Sequence, residues 1–128
     1  MKRGIGIVIG TFLLAACGGG SSSGSAPAAT PTPTPQTLTF TESEFKIDPS
    51  TLTVKPGTYV FQLKDAGNFP HDLHIAPKDG GAELASSQQM KAGDSASFTV
   101  TLKAGEYVIW CAVDSHRSRG MEGTITVK

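Results

Sequence analysis

The chain has 128 residues, with 11 Lys and Arg balancing 11 Asp and Glu. That balance, without any basic run, excludes the cationic face that nucleic-acid binding requires, and the length suits a single modest core. Only three His and two Cys are available for metal or redox chemistry.

Residues 1–16 carry the marks of an export signal. Lys2 and Arg3 give the positive start and Gly4 to Ala16 the apolar stretch, which is too short for a bilayer span of about 20 residues. Leu14-Ala15-Ala16-Cys17 resembles the lipobox of bacterial lipoproteins. The resemblance implies cleavage before Cys17, lipidation of its sulfur and stable membrane anchoring by two or three acyl chains. Loss of Lys2 and Arg3 leaves 9 basic and 11 acidic residues, a mature charge of about −2. Residues 17–36 then form a tether. From Gly18 to Gln36 there is no charge and no large apolar side chain, so the segment is expected to be disordered, flexible at first and stiffened later by Pro27, Pro31, Pro33 and Pro35.

Beyond the tether, stretches rich in β-branched and aromatic residues alternate with turn signals. Leu38 to Thr41, Thr51 to Val54, Thr58 to Leu63, Leu73 to Ala76, Ala96 to Leu102, Glu106 to Trp110 and Thr124 to Val127 are predicted strands. Lys55-Pro56-Gly57, Lys78-Asp79-Gly80-Gly81, Ala92-Gly93-Asp94 and Lys103-Ala104-Gly105 are the turns. Glu83 to Met90 is either one short helix or a loop, and Met90 a hydrophobic plug beneath it. Seven strands with short turns predict an all-β, two-sheet Greek-key sandwich.

The densest chemistry lies in Trp110 to Met121. Cys111, His116 and Met121 follow the spacing C-x4-H-x4-M, and thiolate, imidazole and thioether are three of the four ligands of a mononuclear blue-copper site. A metal cycling between Cu(I) and Cu(II) wants a strongly bonded soft thiolate, two imidazoles in a trigonal plane and a weak axial thioether. The fourth ligand is a second histidine, either His71 or His74. Period two along the strand ending at Cys111 groups Tyr107, Ile109 and Cys111 on one face. Trp110 is therefore expected to point outward, either as a packing residue under the loops or as an electron-entry point.

Phe69-Pro70-His71 before a short apolar strand, Gly105-Glu106-Tyr107 leading to Trp110-Cys111, then His116, Gly120-Met121-Glu122-Gly123 and Thr124 to Val127, resemble a plastocyanin/azurin-type cupredoxin. The resemblance covers roughly residues 37–128. It implies the ligand set His71, Cys111, His116 and Met121 around one copper ion, with His71 preferred because it matches the family's Pro-His step. His74 is then a histidine at the surface or behind the ligands. Pro70, Asp72 and Val113 surround the implied ligands. Asp72 stands where the pattern usually has Asn, whose amide ties the two ligand loops together. Val113 replaces a proline and keeps an N–H that can point at the Cys111 sulfur.

The reading that follows is an electron carrier, not an enzyme, shuttling single electrons between redox proteins. It is expected to be a monomer, lipid-anchored at the cell envelope. His116, ringed by Phe69, Pro70, Ala112 and Gly120, is the implied electron contact, with Arg117 and Arg119 beside it as solvated residues or a docking patch. A copper chaperone or storage protein of the envelope is the alternative. Oxidases and binuclear copper centres are excluded for want of further His and Cys. With Cys17 lipidated and Cys111 on copper, no disulfide can form.

Overall fold

The computed structural model describes residues 33–128. The export signal, Cys17 and nearly all of the tether lie outside the described residues.

Among the described residues nine strands run in chain order as β1 (Gln36–Ser43), β2 (Lys46–Asp48), β3 (Thr51–Val54), β4 (Gly57–Asp65), β5 (His74–Pro77), β6 (Ala85–Ser86), β7 (Ser95–Leu102), β8 (Gly105–Trp110) and β9 (Glu122–Val127). They form two sheets, ordered β2-β1-β4-β7 and β3-β9-β8-β5-β6. The pairs β1/β4 and β3/β9 are parallel and the rest antiparallel. This is the two-sheet sandwich expected, with each predicted strand present and two short ones added. Strand β1 begins at Gln36. The segment 83–90 holds no helix: Ala85 and Ser86 add a short edge strand to β5.

Alternation fills the space between the sheets. Phe40 from β1, Tyr59, Phe61 and Leu63 from β4, and Ile109, Ile125 and Val127 from the opposite sheet are all buried. Phe61 packs at 5.0 Å from both Phe40 and Phe98, joining β1, β4 and β7 through aromatic contacts. The same alternation brings two acids inward at one end. Glu42 follows Phe40 by two residues and Asp65 follows Leu63 by two, and the β1/β4 register sets Glu42 beside Asp65. Both are fully buried. That end of the sandwich also receives the segment before β5 and the loop after β8.

Candidate metal centre

Strand β8 delivers Cys111 to this end. Tyr107 and Ile109 are buried and Val108 and Trp110 half-buried, so the residue after Trp110 turns inward, and Cys111 is fully buried. The following loop is shaped by its own backbone. His116 N–H bonds the carbonyl of Val113 at 3.0 Å, Met121 N–H that of His116 at 3.2 Å, and Cys111 N–H that of Met121 at 3.1 Å. A single 3-10 turn, Arg117–Arg119, carries the chain between the last two ligand candidates. It ends at Gly120, whose φ of 107° lies where a β-carbon is strained. These bonds draw Cys111, His116 and Met121 together in one loop, with Met121 fully buried and His116 6% exposed.

His71 arrives from the other side. Its backbone exchanges two hydrogen bonds with Met90, at 3.1 and 2.8 Å, as an isolated antiparallel bridge. Met90 is a buried plug, as the sequence suggested, and its backbone also fixes that of the histidine. His74, three residues on, lies in β5 directly opposite Trp110 of β8 and stacks on it with ring centroids 5.4 Å apart. Its Nδ1 bonds Glu83 at 2.8 Å, which lowers the pKa of that carboxyl.

Three side chains converge. The donor atoms of His71, Cys111 and His116 all lie within 4.8 Å of one another. Nδ1 of His71 is 3.9 Å and Nδ1 of His116 3.6 Å from the Cys111 sulfur. A thiol has one proton and cannot donate to both rings. A metal at the centre of a trigonal plane accounts for both: bonds of about 2.3 Å to sulfur and about 2.0 Å to nitrogen set those atoms roughly 3.7 Å apart. One buried sulfur, two facing imidazoles and a buried Met121 fit copper, whose His2Cys site with a weak axial thioether is distinctive.

Burial pushes the Cys111 thiol up to about 12, helped by the charges of Asp72 and Glu42 and opposed by the backbone N–H groups of Asp72 and Val113. Without a cation the sulfur keeps its proton, and metal uptake must displace it. The N–H that Val113 keeps is thus one of the groups favouring the charged form of that sulfur. Asp72 accepts the N–H of Ala112 at 2.6 Å through Oδ1, so the carboxylate makes the tie between loops. Pro70 is exposed and shapes only the approach to His71.

Sequence reasoning missed four residues here. Phe45, in the turn between β1 and β2, sets its ring edge against His116 at 5.1 Å, and the Arg119 guanidinium covers Phe45 at 4.7 Å. The expected ring of Phe69, Pro70, Ala112 and Gly120 is exposed around the same place, but the aromatic touching His116 is Phe45. Glu42, Glu44 and Asp65 are the others. Burial, with Asp72 and Asp65 nearby, pushes Glu42 up to about 8, and neither of its oxygens has a hydrogen-bond partner. Glu44 is held down to about 2, chiefly by the backbone N–H of Asn68. Arg117 pairs with Glu122 and lies 4.6 Å over Trp110, which is packed rather than open.

The model of the copper binding proteins of the plastocyanin/azurin family matches residues 35–128. The chain belongs to this family. A plastocyanin from Nostoc punctiforme is 33% identical over 91 residues, with 63% of this chain and 63% of the relative covered. The chain thus spans just under two thirds of the length of that plastocyanin. Among solved structures, auracyanin from Roseiflexus castenholzii superposes with a TM-score of 0.65 at 22% identity, over 73% of this chain and 97% of its own. Auracyanin A, a blue copper protein from Chloroflexus aurantiacus, gives 0.64 at 21% identity, over 74% of this chain and all of its own. At such identities the likeness is one of fold, and the fold is cupredoxin-like.

Proposed function

We propose that this cupredoxin is a one-electron carrier in which His71, Cys111, His116 and Met121 hold a single copper ion. The observation that carries this reading is the convergence of two imidazole Nδ1 atoms on one buried thiol. When bound, copper supplies the Cu(I)/Cu(II) couple. The chain's own part is to hold the donors still. Backbone bonds fix Cys111, His116 and Met121 within one loop, Met90 fixes His71, and Asp72 ties the two loops together. Cys111, His71 and Met121 are closed to solvent, leaving His116 as the donor nearest the surface.

Beside His116 lies a shallow depression of about 200 Å³ lined by Phe45, Phe69, Asp114, Ser115, His116 and Arg119. Phe69 is 58% exposed there, giving a small apolar contact for brief encounters with redox proteins. The alternative, a copper chaperone or storage protein, would keep its donors within reach of incoming and departing metal, and the buried thiol and His71 count against it. For location, the lipobox-like Leu14 to Cys17 supports a carrier anchored at the outer face of a membrane. Release of a Cys17→Ser variant into the soluble fraction checks that anchor.

The test is the visible spectrum of the copper-loaded protein. An intense sulfur-to-Cu(II) charge-transfer band in the wild type, absent from a folded Cys111→Ser variant, is the expected result. A band that survives Cys111→Ser removes the proposed site.

A further inference from the structure

In the proposed site His71 turns one ring nitrogen toward copper and leaves the other inside the protein. Nε2 is buried without a hydrogen-bond partner. Two carboxylate oxygens stand close to it, Oε1 of Glu44 at 3.7 Å and Oδ1 of Asp65 at 3.9 Å. These separations are too long for hydrogen bonds. They are short for the attraction between a ring N–H and an anion in a poorly polarisable interior.

Both carboxylates are built into place. Oε1 of Glu44 accepts the backbone N–H groups of Asn68 and Phe69, the latter at 2.7 Å, and Oδ1 of Asp65 accepts that of Gly67 at 2.9 Å. They therefore grip the three residues that lead into Pro70 and His71. Gly67 is where ring and acid meet. A β-carbon there would stand 2.6 Å from Oε1 of Glu44 and 2.8 Å from Nε2 of His71, so glycine alone allows the approach. His116 has no such support: among the described residues no carboxylate lies within ion-pair distance of its ring, which meets the edge of Phe45 instead.

A neutral imidazole carries one proton. For Nδ1 of His71 to offer a lone pair to a metal, that proton must sit on Nε2, facing the two acids. We propose that Glu44, with Asp65 beside it, is the positioning residue of His71: the pair holds the Nε2–H tautomer ready for copper and its negative charge favours Cu(II) over Cu(I). This rests on His71 being a copper ligand. Outer partners of this kind orient the ligand ring and raise its basicity.

The decisive variant is Glu44→Gln, whose amide oxygen can still accept from Asn68 and Phe69 but carries no charge. The reduction potential is expected to rise by about 59 mV, a tenfold shift toward Cu(I) for one electron. Asp65→Asn should move it in the same direction, and Glu44→Asp should restore part of the loss. Nitrogen NMR of the metal-free wild type, at a pH where the ring is neutral, gives the second readout. His71 is expected as the Nε2–H tautomer, with slowed exchange of that proton, and Glu44→Gln should speed the exchange. An Nδ1–H tautomer in the wild type overturns the proposal even if no variant folds. So do folded Glu44→Gln and Asp65→Asn proteins whose potentials match the wild type, which would leave the acids as clamps on the backbone. Failure of the copper reading is a different result, a wild type that takes up no copper and shows no charge-transfer band.

Discussion

Oδ1 of Asp72 accepts the backbone N–H of Ala112 at 2.6 Å, joining the residue after His71 to the residue after Cys111. The two loops are 40 residues apart in sequence, and this contact ties one to the other. An amide oxygen can accept the same bond, whereas a methyl group cannot. Asp72→Asn is therefore expected to keep the site. Asp72→Ala should weaken copper binding by about 10–100-fold, the usual cost of losing such a partner. Competition titration against a chelator of known affinity measures both.

His71→Ala and His74→Ala should separate sharply. His71 is in the converging trio and fully buried, while His74 stacks on Trp110 and bonds Glu83 from the neighbouring face. The first substitution should abolish or severely distort the visible band. The second should leave the band in place and only loosen the packing of Trp110. Visible and near-ultraviolet spectra of the two variants decide it, and equal loss of the band in both would refute the assignment.

Period two and turn chemistry made seven of the nine strands legible, because each of those had an apolar face and a turn signal beside it, whereas β2 and β6, at three and two residues, are too short to show a period. The C-x4-H-x4-M run was legible because its residue types are rare here and closely spaced. The acids were not. Glu42 and Asp65 occupy inward phases of β1 and β4, so their alternation with Phe40 and Leu63 does mark them. Only the parallel register, Glu42 beside Asp65, makes them neighbours, and no local pattern specifies a pairing between strands so distant in sequence. Phe45 was hidden for a similar reason: a lone aromatic in a polar turn gives no sign of the ring it will meet. His74 and Trp110 lie in separate strands, and their contact follows from the β5/β8 register.

Met121→Leu should keep the band and raise the potential. The thioether is expected to bond weakly along the axis, and its removal destabilises Cu(II) more than Cu(I). Leucine has nearly the same volume and suits a fully buried position, so the fold should lose less than about 1.5 kcal/mol. Voltammetry alongside thermal unfolding checks both halves. A variant that binds no copper would make Met121 a principal ligand and favour a trafficking site.

Glu42 is expected to give the metal-free domain a pH dependence of unusual sign. Its carboxyl is raised from 4.5 to about 8, first by burial and then by the charges of Asp72 and Asp65. Between those values the folded chain holds a proton that the unfolded chain has released. Stability is then greatest below the unfolded value and falls as pH rises through the window, by at most about 1.4 kcal/mol per pH unit, levelling off above the folded value. This runs against the usual acidic side chain, whose depressed pKa makes folding more favourable as pH rises. Glu42→Gln has nearly the same shape and cannot ionise. It is expected to flatten the slope across that window and to be more stable than the wild type at its upper end. Urea unfolding of both metal-free proteins, repeated from pH 5 to about 8.5, provides the measurement. Parallel curves would mean that Glu42 ionises in the fold as it does in the unfolded chain, and would refute the raised pKa.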